Sequence, residues 1–295
     1  MKLDSVSESV FCIPGAVNIG VIKSGEKAIL VDTGLDKDTG RRIFRRLDKL
    51  GLKISAIINT HSHADHFGGN NYIVEKSGAK VIAPEIEAGM IQYPYIEPLY
   101  LYSAHPVRDL MSRFLMAKPS GVDHVLRSEK HSISIAGKEV NVIPLPGHAP
   151  NQIGLEVDGV LFCADTVFSE KIIDKYGIPL FMDIEKQKKT LTKIEKMKCD
   201  LFVPSHAEPT EDISSLVDLN LGVIERVEDL ILSFNSPKTT EEIFKEVLDY
   251  FEITVNNFIE YSLALSTVKA YLSSLYNSGE LNAFFDNNVL YWVPD

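Results

Sequence analysis

The segment NTHSHADHFGG, residues 59–69, places three histidines and one aspartate within six positions and ends in two glycines. Neutral imidazole nitrogens and carboxylate oxygens bind zinc-like ions at about 2.0 to 2.2 Å. His61, His63, Asp65 and His66 lie at i, i+2, i+4 and i+5, so one loop can direct them to two neighbouring ions. Each ion needs about four to six ligands. The fold must therefore bring further histidines or aspartates to this loop.

The residues around this segment predict alternating strands and helices. VNIGVIKSGEKAILVDTGL, residues 17–35, predicts two strands around a Ser24-Gly25 turn, and apolar residues at helical spacing predict a helix over 38–50. ISAIINT, residues 54–60, predicts a strand that runs directly into the histidines. The segment is thus expected on a strand-to-helix loop, where Gly68 and Gly69 let the chain turn tightly before a helix over 70–77.

Three residues further along the chain are candidates for the missing ligands. They are His148 in PLPGHAPNQIG, Asp165 in LFCADTVF and His206 in FVPSHAEP. Each follows a short apolar segment, and these segments predict strands at 139–143, 160–164 and 201–203, with two more at 80–83 and 153–157. We expect each candidate in a turn just after its strand.

This set of motifs resembles the metallo-β-lactamase superfamily of dinuclear hydrolases, including its glyoxalase II-like branch. The resemblance covers residues 1–213. It rests on His61-x-His63-x-Asp65-His66 with Gly68-Gly69, the Gly147-His148 turn, Asp165, His206, and VDTG at 31–34, in which Asp32 would support the ligands. The segment PSHAEP departs from the family pattern, since many members have a glycine just before the histidine at position 206.

The resemblance implies an α+β protein with the four-layer αβ/βα sandwich. It implies two divalent ions, with zinc favoured and iron, manganese or nickel possible. His61, His63 and His148 would hold one ion, Asp65, His66 and His206 the other, and Asp165 would bridge them. Paired ions of this kind lower the pKa of water to about 7 and so supply a nucleophile. Asp65 and Asp165 are therefore expected catalytic residues, together with Tyr176, where some members place a phenol. The expected reaction is hydrolysis of a small ester, thioester or lactone.

Other interpretations of the same residues stay open. A structural zinc site usually has four cysteine or histidine ligands, whereas this set has two carboxylates and no cysteine. His61, His148 and Asp165 could instead hold a single iron, because HSHAD resembles the persulfide dioxygenases of the superfamily. An endoribonuclease branch shares the expected two-domain layout, and a non-catalytic metal-binding protein is a further alternative. His105, His124 and His131 are expected not to be ligands, and Cys163 is expected to be buried and inert.

Two segments lie outside the expected catalytic core. Residues 86–120 form an insertion that contains Met90, Met111, Met116, Phe114 and four tyrosines, and it predicts either an apolar substrate wall or ordinary packing. Arg108 and Arg113 within it could receive an anionic group, but a solvated helix face is the favoured interpretation. Residues 214–236 predict a connecting helix. Residues 237–295 predict a small winged-helix-like domain, with a capping box at Thr239 and Glu242, a helix over 262–277 and a hairpin at 286–288.

Composition limits the partners and the compartment. The net charge is −11, and residues 214–295 contain 13 acidic and 4 basic side chains, so −9 of that charge lies there. Nucleic-acid readers need a basic surface, so we expect a small-molecule substrate and no nucleic-acid partner. A homo-oligomer is possible. The three cysteines are widely spaced, and the chain has no long apolar segment or signal peptide, which together predict a cytoplasmic protein without membrane contact.

Overall fold

The computed structural model describes residues 1–127 and 132–295. Two sheets form its centre. The first sheet has strands in chain order, antiparallel from β1 to β4 and parallel from β4 to β7: β1 (Asp4–Ser5), β2 (Val10–Ile13), β3 (Ile19–Ser24), β4 (Lys27–Val31), β5 (Lys53–Ile58), β6 (Lys80–Pro84) and β7 (His124–Leu126). The second sheet has the order β12-β11-β10-β9-β8, with only β11 and β12 parallel: β8 (Ser132–Ile135), β9 (Lys138–Pro144), β10 (Ile153–Val157), β11 (Val160–Phe168) and β12 (Leu201–His206).

Helices flank both sheets. In chain order, the helices before the second sheet are α1 (Lys37–Asp48), α2 (Ala64–Phe67), α3 (Asn70–Ser77), α4 (Glu85–Gln92) and α5 (Ile96–Tyr102), followed by a 3₁₀ turn (Arg108–Leu110). The later elements are α6 (Glu170–Tyr176), α7 (Ile184–Glu195), α8 (Ser214–Leu232), α9 (Thr240–Tyr250), α10 (Phe258–Ser278) and the hairpin β13 (Leu281–Asp286) with β14 (Val289–Pro294). Among the described residues, none of the helices combines the length and apolar character needed to cross a bilayer.

The apolar residues form three large clusters that define the layers. One cluster lies between the sheets and joins residues such as Ile29 of β4 to Leu155 of β10. A second packs Ile43 and Leu47 of α1 against the outer face of the first sheet. A third packs the later helices against the outer face of the second sheet, including Leu161. This order of helices, sheet, sheet and helices confirms the predicted α+β four-layer αβ/βα sandwich.

The structure corrects the expected position of Asp165. We expected a turn after a strand over 160–164, but β11 continues to Phe168 and Asp165 lies inside it. All nine residues of β11 are buried, because this central strand is covered on both faces. Its pairing with β12 shifts register on either side of Ala164, whose φ is 50°. The buried polar position at Asp165 therefore disturbs the pairing of β11 with β12 but does not end β11.

The prediction of a loop with tight glycine turns was also wrong in part. Asp65 and His66 lie in the short helix α2, and Gly68 and Gly69 have φ values of −59° and −81°, which any residue can adopt. Both positions require glycine because a side chain at either one would clash with nearby backbone atoms. A Cβ on Gly68 would lie 1.9 Å from the Leu35 carbonyl oxygen, and one on Gly69 would lie 2.5 Å from the Thr33 carbonyl oxygen.

The C-terminal elements follow the sequence closely. The Thr239 and Glu242 capping box is confirmed, and α10 begins at Phe258 because Asn257 caps it. The hairpin turn is confirmed at Asn287 and Asn288, both of which have positive φ. The domain boundaries and the winged-helix resemblance stay predictions, since one apolar cluster contains side chains from both proposed parts of the chain.

Candidate metal centre

All seven predicted ligands converge at one edge of the sandwich. Their nitrogen and oxygen atoms form three overlapping groups, in each of which the atoms lie within 4.8 Å of one another. The groups are His61, His63 and His148; His61, His66 and Asp165; and Asp65, His66 and His206. The chain achieves this because β5, β11 and β12 end or bend at the same edge, where the loop before β10 also lies.

Asp32 fixes the orientation of two of these imidazoles. Its carboxylate accepts hydrogen bonds from the Thr60 N–H and hydroxyl, each at 2.8 Å, and lies 2.7 Å from His66 Nδ1. Because the Thr60 hydroxyl donates its one hydrogen to Asp32, it accepts from His61 Nδ1–H at 3.0 Å. His66 likewise donates from Nδ1 to Asp32. In both rings the Nε2 lone pair is left for the centre.

Asp32 occupies this position at a cost in backbone strain. Its φ is 63°, in the left-handed region, which costs a non-glycine residue roughly 1 to 2 kcal/mol. Such strain persists where the surroundings hold a residue firmly, and it is common at functional sites. The buried Asn59 and Asn70 side chains bond to each other and surround this turn.

His148 is held from the opposite side. Its Nδ1–H donates to the Leu180 carbonyl oxygen at 2.7 Å, so its Nε2 lone pair points to His63 Nδ1, 2.8 Å away. His63 Nδ1 also lies 3.1 Å from His61 Nε2. Three imidazole nitrogens thus face one point. Gly147 makes this approach possible, because its φ is 141° and a Cβ there would lie 2.5 Å from the Gln187 Cα.

Asp165 stands between the His61, His63 and His148 group and the Asp65, His66 and His206 group. One oxygen is 3.2 Å from His66 Nε2, and the other is 3.2 Å from His206 Nε2 and 3.4 Å from His148 Nε2. His206 Nε2 also lies 3.5 Å from Asp65. The ring of Phe168 stacks on His206 at 5.8 Å between centroids. This arrangement allows one carboxylate to contact both groups.

The turn around His206, which departs from the family pattern, is held by Asn18. Its side-chain amide donates to the carbonyl oxygens of Pro204 and Ala207, each at 2.8 Å, and its backbone N–H donates to the Ser205 carbonyl at 2.9 Å. Three hydrogen bonds from one residue fix the turn without a glycine before the histidine.

The electrostatics differ between the two groups. Burial and the neighbouring His148 lower the pKa of His63 to about 3, and burial lowers the pKa of His148. Burial also opposes a charge on His206, but Asp165 and Asp65 outweigh it and raise the pKa of His206 to about 10. Burial raises the pKa of Asp65, but His66 and His206 outweigh it and hold that pKa below its ordinary value. The His61, His63 and His148 group therefore offers neutral imidazoles, whereas the other group offers the ionised carboxylate of Asp65.

The spacing of two buried atoms tests whether a cation fits. His66 Nε2 and Asp165 Oδ1 are both buried and have no hydrogen-bond partner within residues 1–127 and 132–295, although they lie 3.2 Å apart. Tetrahedral ligands at the usual zinc distances lie about 3.3 Å from one another. Leaving buried polar atoms without partners costs free energy, which a cation held between them removes. The residues present fit a divalent metal ion.

The remaining predicted residues lie elsewhere. Tyr176, at the end of α6, is 47% exposed, and its hydroxyl accepts a hydrogen bond from Lys175, so its catalytic role stays a prediction. His105 and His124 are exposed and outside the three groups, while His131 lies outside the described residues. Cys163 is buried, and burial raises the pKa of its thiol. Arg108 and Arg113 are exposed.

Sequence reasoning missed two buried acids in the insertion. Glu87 on α4 is fully buried and accepts hydrogen bonds from Ser62 and Asn151. Glu97 on α5 is 5% exposed, and burial, together with Asp65 and Glu87, raises its pKa well above the ordinary value. The available signal was three acidic residues among the apolar residues of EIEAGMIQYPYIEP, of which Glu85 is exposed and Glu87 and Glu97 are buried. Met90 is buried beside Ser62, whereas Met111 and Phe114 are largely exposed.

Comparisons with known proteins agree with this geometry. A family profile described as "Metallo-beta-lactamase superfamily" matches residues 12–206. The "Beta-lactamase-like protein 2 homolog" of Drosophila melanogaster is 25% identical over 288 residues, which cover 94% of this chain and 89% of that protein. The "Hydroxyacylglutathione hydrolase" of Erythrobacter litoralis is 31% identical over 149 residues, which cover 50% of this chain and 45% of that protein. The chain therefore spans about half the length of that hydrolase.

Solved structures show the same fold. A metallo-beta-lactamase family protein from Thermus thermophilus superposes with a TM-score of 0.76 at 21% identity, covering 99% of this chain and 100% of that one. A beta-lactamase domain protein from Burkholderia ambifaria also gives a TM-score of 0.76, at 18% identity, covering 100% of this chain and 94% of that one. At these identities the likeness concerns the fold alone.

Proposed function

The chain belongs to the metallo-β-lactamase superfamily, and we propose that it is a metal-dependent hydrolase that acts on a small thioester, ester or lactone. The observation that supports this most strongly is the meeting of two ligand groups at one carboxylate. Asp165 lies within 3.4 Å of His148 from one group and of His66 and His206 from the other. A carboxylate in this position can contact both ions of a neighbouring pair.

In this proposal the chain holds two divalent ions, and zinc is the first candidate. His61 Nε2, His63 Nδ1 and His148 Nε2 would hold one ion. Asp65, His66 and His206 would hold the other, with Asp165 between them. Bound ions would supply a water-derived nucleophile at neutral pH and would stabilise negative charge on the substrate oxygen. Iron, manganese and nickel accept the same ligands.

The chain's own residues would prepare the centre for this chemistry. Asp32 and the Leu180 carbonyl hold the Nδ1 protons of His66 and His148, which keeps each Nε2 lone pair directed at the ions. Asp65 and Asp165 stay ionised, since nearby histidines lower the pKa of both carboxyl groups in spite of their burial. Tyr176 would assist the leaving group only if α6 moved its exposed side chain toward the centre.

The choice of substrate class rests on the similar proteins and on the insertion. The relative from Erythrobacter litoralis is named for hydrolysis of a hydroxyacylglutathione, which is a thioester. Helix α4 of the insertion packs beside the metal-ligand helix, with Ala88 and Ile91 in the same apolar cluster as Ala64. These side chains are buried, so they hold α4 beside the ligand helix, and in this proposal exposed apolar residues of the insertion would contact the organic part of a small substrate. We propose a thioester as the first substrate to test.

The experiment measures hydrolysis of an S-acyl glutathione, a nitrophenyl ester and a simple lactone by the chain as purified, after chelation and after zinc is restored. We expect chelation to abolish hydrolysis of at least one substrate and zinc to restore it. His63→Ala should abolish the same activity, while His124→Ala, a matched change of an exposed histidine, should not.

Two other results would replace the proposal. Oxygen consumption with a persulfide, dependent on one iron per chain, would favour the dioxygenase interpretation. Cleavage of RNA without cleavage of any small substrate would favour the endoribonuclease.

A further inference from the structure

The carboxylate of Glu87 is fully buried in the first turn of α4, and three hydrogen bonds converge on it. The Ser62 N–H donates to Oε2 at 3.0 Å, and the Ser62 hydroxyl donates to the same oxygen at 2.6 Å. The Asn151 N–H donates to Oε1 at 2.9 Å. A second link joins the same segments, because the Ile86 N–H donates to the Asn151 side-chain oxygen at 3.2 Å.

These partners lie in the two loops that provide one group of ligands. Ser62 stands between His61 and His63, and Asn151 follows His148 by three residues. The loops come from different sheets, and a backbone hydrogen bond from the Ile153 N–H to the Thr60 carbonyl also joins them, at 3.0 Å. Glu87 thus bridges the two loops that contain His61, His63 and His148.

The chemistry of this bridge requires a carboxylate. All three hydrogen-bonding partners are donors, and an ionised carboxylate is an acceptor only, so it satisfies them without a competing hydrogen. Both oxygens accept hydrogen bonds from the loops, and Glu87 belongs to none of the three ligand groups. A buried carboxylate is costly unless several donors satisfy it, and here they do.

We propose that Glu87 is a positioning residue that sets the geometry of the His61, His63 and His148 metal site by fixing both ligand loops. This inference rests on the proposed metal centre. It assigns to the insertion a part in metal binding beyond lining a substrate cleft. The group formed by Asp65, His66 and His206 has no hydrogen bond to Glu87 among the described residues, so its affinity should be independent of this bridge.

The test compares metal affinity in two backgrounds, each of which keeps one group intact. His206→Ala leaves the group that Glu87 positions, and His63→Ala leaves the other. In Glu87→Gln the amide NH₂ faces either Ser62 or Asn151, so at least one bond becomes a contact between two donors. We expect Glu87→Gln to weaken zinc binding, measured by chelator competition, by about 10-fold or more in the His206→Ala background and to leave it unchanged in the other.

Two further variants make the test decisive. Glu85→Gln is the matched control, since Glu85 lies in the same helical turn with an exposed side chain, and it should change neither affinity. Ser62→Ala removes the 2.6 Å hydrogen bond to Glu87 and keeps the one from the Ser62 N–H. It serves if Glu87→Gln does not fold, with a smaller loss expected in the same background alone. Equal losses in both backgrounds, or no loss, would overturn the positioning role. A wild-type chain that binds no metal would overturn the proposed function as well.

Discussion

Asp165 is the residue at which the two ligand groups meet, and each of its oxygens lies 3.2 Å from a histidine of the Asp65, His66 and His206 group. A carboxylate has two oxygens for two cations, whereas an amide has one. We therefore expect Asp165→Asn to lower the metal content toward one ion per chain and to reduce ester or thioester hydrolysis by orders of magnitude. Metal analysis and rate measurement on the same preparation check this.

The matched change for this prediction is Asp174→Asn, which alters an exposed aspartate on α6. It should leave both the metal content and the rate as they are. If Asp165→Asn also leaves both unchanged, Asp165 is not part of the centre.

At the residue scale, the sequence predicted which residues cluster, but it did not predict most of the residues that hold them in place. His61, His63, Asp65 and His66 stand close together in the chain, so local spacing alone indicates a ligand loop. The nitrogen that each ring presents depends on distant partners, such as Asp32 for His66. Glu87 could not be predicted, because its importance comes from bonds to residues 25 and 64 positions away.

At the element scale, Gly68 controls how α2 approaches the loop after β4. A Cβ on Gly68 would lie 1.9 Å from the Leu35 carbonyl oxygen and 2.8 Å from the Ala64 carbonyl oxygen, both of which are backbone atoms. Backbone moves less easily than a side chain, so we expect Gly68→Ala to lower the free energy of unfolding by about 3 kcal/mol. Because α2 contains Asp65 and His66, metal affinity should fall too. Chemical denaturation with and without zinc measures both effects.

Gly89 provides the control for this prediction. It lies inside α4, and no atom stands within 4 Å of a Cβ built there. Alanine is the better helix former by about 1 kcal/mol, so Gly89→Ala should be neutral or stabilising. If Gly68→Ala changed the free energy of unfolding as little as Gly89→Ala, the result would contradict the close packing of backbone atoms around Gly68.

The elements themselves were largely predictable, since apolar alternation and caps are local signals. The strand over 153–157 and the helix over 70–77 have the bounds that the sequence predicted. The continuation of β11 through Asp165 was not predictable. A polar residue after an apolar segment usually ends a strand, and only the cover of helices on one face and a sheet on the other keeps this one extended.

At the scale of the whole molecule, the C-terminal helices are part of the support for the centre. Helix α10 packs against α5, α7 and the 3₁₀ turn, and the Ser266 hydroxyl contacts the Met182 sulfur at 3.8 Å. The Met182 N–H donates to the Gly147 carbonyl, next to His148, at 2.8 Å. We expect deletion of residues 237–295 to expose apolar partners of residues such as Val268, and to reduce solubility and small-substrate turnover together. Sedimentation and rate measurements on the shortened chain check this.

Residues 214–295 also allow a test that distinguishes the hydrolase from the endoribonuclease. With a net charge of −9 on residues 214–295, we predict no binding of single-stranded RNA above background near physiological salt. An RNA-binding domain would show affinity that falls with added salt, by about 0.7 in the log-log slope for each neutralised phosphate. Salt-sensitive binding at micromolar concentration, lost on deletion of 237–295, would place the endoribonuclease first.

The four layers followed from the family resemblance, but the packing of the C-terminal helices onto the insertion did not. Contacts such as those between α10 and α5 join segments far apart in the chain, and neither segment has a pattern that specifies the other. Apolar residues in both were visible in the sequence. Which of these residues contact each other is decided by the fold and is not encoded in either segment alone.

In the proposed mechanism, two metal ions act together in one hydrolytic centre. The most direct measurement adds zinc stepwise to the chelated chain and records thioester hydrolysis at each step. We predict little activity up to about one equivalent and a rise to a plateau at about two, because Asp165 can bridge only when both groups are filled. Full activity at about one equivalent, or no hydrolysis at two, would contradict the account.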